Sequence, residues 1–164
     1  MTLVLHPDLE PLRALLGPWS GTGTGSYPTI ESFSYVEEVT FGHIGKPFLA
    51  YSQKTRNAAT DLPLHAETGY WRLIGQRQLE VVLVHPTGIL ELQLGSLDHT
   101  ADGAAMAAVM DLRSSAMVGS PTAKAVTEVH RRFELAGDVL RYELSMAAVG
   151  LPLTHHLSAE LHRA

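Results

Sequence analysis

The sequence predicts an all-β protein: an antiparallel up-and-down β-barrel of about ten strands preceded by one short helix. Two patterns support this fold class. The chain divides into extended runs separated by Gly, Pro, Asn or Asp, and several runs alternate polar and apolar side chains. Composition agrees, because 164 residues with 45% hydrophobic and 18% charged side chains can bury a sizeable core. We therefore expect a single domain over residues 1–164.

The predicted helix lies near the N-terminus. Asp8 is the expected N-cap, and Gly17 is a natural stop. Between them, Leu12, Leu15 and Leu16 form an apolar stripe that would face the core. No further helix is expected, although the Ala- and Met-rich stretch Ala104–Met110 could be helical locally.

The predicted strands are runs of period-two or β-favouring residues bounded by turn residues. They are Trp19–Tyr27, Phe33–Phe41, Phe48–Arg56, His65–Ile74, Leu79–His85, Gly88–Leu97, Ala104–Met117, Lys124–Leu135, Val139–Val149 and Leu153–His162. Turns are expected at Pro86–Gly88 and at Gly137-Asp138. Closing ten strands into a barrel removes the exposed sheet edges and leaves a lumen wide enough for a ligand.

Composition excludes several classes of function. A formal charge of −5 without a Lys/Arg cluster argues against nucleic acid and anionic membranes as partners. No apolar run is long enough to span a bilayer, and Met1–Glu10 does not read as a secretory leader, so a cytoplasmic protein is expected. The absence of cysteine excludes thiolate sites and leaves nine histidines as the natural metal ligands. Glu37 and Glu38 point to opposite faces of one strand, so they do not form a glycosidase pair.

A set of short motifs runs through nearly the whole chain in a fixed order. The motifs are Gly-x-Trp-x-Gly-x-Gly at 17–23, Tyr27-Pro28-Thr29, Tyr35-x-Glu37-Glu38, His43-x-Gly45-Lys46-Pro47, His65-Ala66-Glu67-x-Gly69-Tyr70, Thr87-Gly88 and His156-Leu157-x-Ala159. In their order and spacing they resemble the nitrobindins, small β-barrels that bind haem. The resemblance implies one haem b per chain, an isomerase that converts peroxynitrite to nitrate at ferric haem, and binding of nitric oxide. It implies no catalytic side chain beyond the iron.

The last predicted strand carries two adjacent candidates for the iron ligand. The resemblance places the axial ligand at the histidine before Leu-x-Ala, which is His156. Strict alternation instead groups His155 with the apolar residues Leu157 and Leu161, so His155 would be the ligand if that face lined the lumen. We favour His156 and keep His155 as the alternative.

The resemblance also suggests further contacts with haem. Lys124, at the start of a predicted strand, and Thr29, in a turn, match positions that bind the haem propionates. His65 and Phe41 match positions that line the haem pocket. So do Leu64, His85 and Met146.

The sequence is also compatible with a second class of function, that of a carrier protein. Calycin-like barrels commonly carry a lipid or another small hydrophobic ligand in the lumen without catalysis. A homodimer is also open, because an outward apolar face on the last strand would need a partner.

Overall fold

The computed structural model describes residues 3–102 and 105–164. One 3₁₀ helix, Pro7–Leu15, precedes the sheet. The strands are β1 (Gly17–Tyr27), β2 (Ile30–Gly42), β3 (Leu49–Asn57), β4 (Pro63–Ile74), β5 (Gln78–His85), β6 (Ile89–Asp102), β7 (Ala105–Gly119), β8 (Val126–Ala136), β9 (Val139–Ala148) and β10 (Thr154–Arg163). Ala105–Met110 belongs to β7 and is extended, so the helical alternative there is wrong; Ala104 lies outside the described residues.

Within the described residues, the ten strands form a closed antiparallel barrel in which each strand pairs with its neighbours in sequence. The barrel closes where β1 pairs with β10, with Trp19 opposite Arg163. The predicted fold class is confirmed. The predicted turns are also present, with Gly88 and Gly137 in the positive-φ conformation that glycine adopts without strain. No helix in the described ranges is long and apolar enough to cross a membrane.

The N-terminal helix differs from the prediction in its cap and its type. Asp8 is not the N-cap; His6 caps the helix, and its Nδ1 accepts a hydrogen bond from the Asp8 backbone N–H at 3.3 Å. The buried residues are Leu9, Leu12 and Leu15. Their spacing of three aligns them on one face of a helix with three residues per turn, which explains why a 3₁₀ helix forms here.

The helix side of the barrel is closed by packing around Trp19. The indole Nε1–H donates to the Leu15 carbonyl at 2.8 Å, and the Arg163 guanidinium lies 4.4 Å from the ring centroid. Arg163 also donates to the carbonyls of Ala14 and Leu16 at the end of the helix. The last strand and the helix are thereby fastened together at this end. The hairpin turns that follow β1, β3, β5, β7 and β9 lie at the opposite end.

The outward faces of β5 and β6 are unexpectedly apolar. Val82, Val84, Leu90, Leu92 and Leu94 are exposed. On β10, in contrast, the outward residues include Ser158, Glu160 and His162, so the apolar residues of that strand face the interior. The argument from β10 for a homodimer therefore does not hold.

Candidate functional site

A cavity of about 530 Å³ occupies the barrel interior. This volume lies within the range of small-molecule sites. Most of its wall is apolar or aromatic, and Phe33, Leu144 and Leu157 are examples. The residues that the sequence placed in a pocket all line it: Phe41, Leu64, His65, His85, Met146 and His156. Phe41 lies deepest, packed at a centroid distance of 5.2 Å against the ring of Tyr51.

A β-bulge in β10 decides which of the adjacent histidines enters the cavity. His155 lies opposite Ser145 of β9 and Leu157 lies opposite Leu144, so His156 has no partner residue there. The extra residue breaks strict alternation. Both His156 and Leu157 line the cavity, while His155 is exposed and contacts the Ser158 hydroxyl at 3.0 Å. The inward face of β10 is the apolar one, yet His156 shares it.

The hydrogen bond of His156 determines which ring nitrogen is available. Its Nδ1 lies 2.9 Å from the Ser26 carbonyl oxygen, which can only accept, so Nδ1 carries the proton. Nε2 therefore carries a lone pair and has no hydrogen bond to protein within the described residues. Burial lowers the pKa of His156, which keeps the ring neutral at neutral pH. The result is an oriented imidazole with one free nitrogen in the cavity wall.

Glycines in β1 make room for the aromatic side of the cavity. A side chain at Gly25 would overlap the ring of Phe33 and come within 2.9 Å of Leu157, and one at Gly23 would overlap Tyr35. Phe33 packs edge-on against His156 at a centroid distance of 6.4 Å. Gly23, in the glycine-rich motif, therefore makes room for Tyr35, and Gly25, just after it, makes room for the Phe33 ring beside His156.

A charged cluster lies deep in the cavity, and the sequence reasoning missed it. Arg131 donates to both oxygens of Glu67, at 2.7 and 3.0 Å, and to Glu91 at 3.2 Å. All three side chains are buried. Burial raises the pKa of Glu91, but the nearby charges, first that of Arg131, bring it down to about 2. The pKa of Glu67 is lowered because Arg131 outweighs burial in the same way.

Two of the predicted histidines join this cluster. His65 Nε2 lies 3.0 Å from His85 Nδ1, and His85 Nε2 lies 2.9 Å from Glu91 Oε1. The second contact is close but not aligned as a hydrogen bond. Burial lowers the pKa of His65, so its ring is neutral at neutral pH. A signal for this cluster did exist in the alternation of β6, where Glu91 and Gln93 share one face.

A further buried carboxyl group in the cavity wall, outside the charged cluster, belongs to β2. Glu37 is buried, and it accepts hydrogen bonds from Gln53 Nε2 at 3.0 Å and from the Tyr142 hydroxyl at 2.8 Å. Tyr142 in turn contacts the Tyr35 hydroxyl at 2.8 Å. Burial raises the pKa of Glu37 to about 7, because neither neighbour brings a positive charge.

The two predicted propionate contacts lie outside the cavity wall. Thr29 is exposed in the turn between β1 and β2, next to the lining residue Ile30. Lys124 is exposed and precedes β8, which begins at Val126, so its predicted place at a strand start is wrong by two residues. Both lie at the end of the barrel opposite the helix, in the turns that follow β1 and β7.

Comparison with known proteins identifies the family. A family model described as the THAP4-like, heme-binding beta-barrel domain matches residues 8–163. The chain belongs to this haem-binding β-barrel family. The resemblance to nitrobindins is thereby confirmed, and so is the prediction that the chain binds haem.

Individual members of the haem-binding family are similar over nearly their full length. Peroxynitrite isomerase 2 of Mycobacterium marinum is 54% identical over 159 residues, which are 97% of this chain and 96% of that protein. Peroxynitrite isomerase of Nocardia farcinica is 53% identical over 162 residues, covering 99% of this chain and 94% of the relative. The crystal structure of Rv2717c from M. tuberculosis superposes with a TM-score of 0.93 at 46% identity, covering 98% and 99% of the two chains.

The residues of this chain fit the family's haem. A haem needs an axial ligand, an apolar pocket for the macrocycle and an edge near solvent for its propionates. His156 offers a neutral nitrogen whose ring is fixed by a backbone carbonyl, as is usual for metal-binding histidines. Aromatic and aliphatic side chains surround it, and the exposed Lys124 lies at the same end of the barrel.

Proposed function

We propose that this chain is a haem-dependent peroxynitrite isomerase that holds one haem b through His156. The observation that carries the proposal is the free Nε2 of a neutral His156 in the wall of an apolar cavity. The names of the relatives from M. marinum and N. farcinica support the reaction. A ferric haem held by His156 would supply an electrophilic iron that promotes the isomerisation of peroxynitrite to nitrate.

His156 holds and orients the cofactor. Its Nδ1–H donates to the Ser26 carbonyl, which fixes the ring and increases the basicity of Nε2. Tyr27 and Phe33 pack edge-on against the imidazole, at centroid distances of 5.5 and 6.4 Å, and limit its rotation. The β-bulge is therefore a part of the site, because it turns this side chain into the cavity.

The remaining site residues are proposed to contact the propionates and the macrocycle of the haem. Lys124 supplies a positive charge for a propionate, and Thr29 supplies a hydroxyl donor. Phe41 and His65 complete the wall of the pocket. No side chain is assigned a catalytic role, and nitric oxide is proposed to bind at the same iron.

The charged cluster disfavours the alternative of a lipid carrier. A long apolar ligand that filled the lumen would contact Glu67, Glu91 and Arg131, whose charges it could not satisfy. Of the side chains proposed to contact the haem, only His65 belongs to this cluster, and burial keeps its ring neutral.

The reaction can be tested with a matched pair of variants. The haem-loaded wild type should accelerate peroxynitrite decay in proportion to protein concentration, with nitrate as product, as measured by stopped-flow absorbance and ion chromatography. His156→Ala should lose this acceleration, whereas His155→Ala should keep it. A wild type without acceleration would refute the proposed reaction, and an active haem-loaded His156→Ala would refute the ligand.

A further inference from the structure

We propose that His65, His85 and Glu67 form a second metal site, separate from the haem, that takes a divalent first-row transition metal of the zinc class. Two strands bring the three residues together. His65 and Glu67 lie two positions apart on β4 and share one face, and Glu67 comes opposite His85 when the register of β4 and β5 is continued one step beyond Thr68 and Val84.

The distances match the coordination sphere of such an ion. His65 Nε2 and His85 Nδ1 are 3.0 Å apart, and Glu67 Oε2 lies 3.5 Å from His85 Nδ1 and 4.0 Å from His65 Nε2. Zinc bonds to nitrogen and oxygen are about 2.0–2.2 Å, so tetrahedral ligand atoms lie about 3.3–3.6 Å apart. An ion between the three atoms needs only small side-chain adjustments.

The hydrogen bonds of Glu67 leave one acceptor site of its carboxylate unused. A carboxylate accepts at about four sites. Arg131 uses one site on each oxygen, and the Tyr51 hydroxyl uses the second on Oε1 at 2.8 Å. The remaining site belongs to Oε2, the oxygen that faces both imidazoles.

Glu91 prepares His85 as a ligand. Its carboxylate lies 2.9 Å from His85 Nε2 and favours the tautomer with the proton on that nitrogen, which leaves the lone pair on Nδ1. His65 Nε2 then donates in the 3.0 Å contact with His85 Nδ1, and a bound metal would replace this hydrogen bond and leave the His65 proton on Nδ1. A carboxylate behind a metal-binding histidine is a common outer contact of metal sites. Among the described residues the buried Nε2 of His85 has no aligned hydrogen-bond partner.

The charge of the cluster also favours a cation. Two carboxylates, Glu67 and Glu91, face one guanidinium, Arg131, which leaves one negative charge in a buried place. All three proposed ligands line the cavity. Three protein ligands and an open position are typical of reactive rather than structural zinc sites, so a small molecule in the cavity could reach the ion.

Cobalt(II) is a suitable probe, because its visible spectrum reports coordination and zinc should displace it. The spectral titration uses haem-free His156→Ala, because haem absorption would cover the weak cobalt bands. In haem-loaded wild type, bound cobalt is counted by elemental analysis after dialysis. We expect one ion per chain. His65→Ala should weaken binding by more than about 10-fold, and Glu91→Gln by about 10–100-fold. His99→Ala, which changes an exposed histidine of β6, should bind as the wild type does.

Two results would overturn the proposal. One is the absence of stoichiometric binding in the wild type, which would leave the cluster as a hydrogen-bonded network. The other is binding that His65→Ala does not weaken, which would place the ion elsewhere. If the variants do not fold, X-ray absorption on zinc-loaded wild type decides, because a coordination shell without two imidazoles contradicts the site.

Discussion

Glu37→Gln tests whether the barrel wall holds a neutral carboxylic acid. The native protein keeps the proton of Glu37 up to about pH 7, whereas the ordinary pKa is 4.5. Between these values the unfolded chain binds fewer protons than the native state, so stability falls as the pH rises. Each pH unit corresponds to about 1.4 kcal/mol, so ionisation of Glu37 costs the fold about 3 kcal/mol.

The assay is urea unfolding of haem-free wild type and variant at several pH values from acid to mildly alkaline. Relative to Glu37→Gln, the wild type should lose about 3 kcal/mol of unfolding free energy as the pH rises from about 4.5 to above about 7. Glutamine keeps the shape of the side chain and carries no ionisable proton. The control is Glu38→Gln, on the outward face, which loses surface ion pairs with Lys54 and Arg56. Parallel curves for wild type and Glu37→Gln would refute the reasoning.

Three further changes probe the packing around the site. Arg131→Met leaves two buried carboxylates without their cation and should cost about 3–5 kcal/mol in chemical unfolding, and a loss below about 1 kcal/mol would contradict the buried pairing. Leu12→Ala removes a fully buried side chain of the helix and should lower the free energy of unfolding by about 2–5 kcal/mol. Almost no change would contradict the tight packing of the helix against the barrel. Gly25→Ala should displace the rings beside His156 and weaken hemin binding in absorbance titrations. Unchanged affinity would show that these rings do not seat the cofactor.

The pattern of runs and turns was enough to predict the barrel. Extended runs bounded by Gly, Pro, Asn or Asp, several of them with period two, located all ten strands of the described residues to within five residues of their ends. The prediction that Asp8 is the N-cap was wrong. Pro7 and Pro11 favour a tight 3₁₀ helix, and its N-cap is His6, two residues before Asp8. The residue preferences of single positions therefore predict the start of a 3₁₀ helix less well than they predict a hairpin turn.

Alternation could not predict which face of β6 is inside. It groups Glu91 and Gln93 on one face and Leu90, Leu92 and Leu94 on the other, and the usual expectation would bury the leucines. The structure buries the polar face, because Arg131 of β8 satisfies Glu91 across the lumen. Such a partner is distant in sequence, so only the closed fold reveals it.

The same limit applies to the adjacent histidines. Alternation grouped His155 with Leu157 and Leu161 and left open whether that face lines the lumen. In the structure both leucines line the cavity, but the bulge turns His156 inward in place of His155. A bulge inserts one residue without changing composition, so the pattern of side chains does not reveal it. The resemblance to a family pointed to His156 where the periodicity pointed away from it.

The most direct test of the proposed site is a hemin titration followed by absorbance in the Soret region. The experiment compares wild type, His156→Gly and His155→Gly, and then adds free imidazole to fill the gap left by the lost side chain. We expect a saturable Soret band at one hemin per chain in the wild type and in His155→Gly, a changed or lost band in His156→Gly, and its recovery with imidazole. A band unchanged in His156→Gly but lost in His155→Gly would contradict the assignment of the axial ligand.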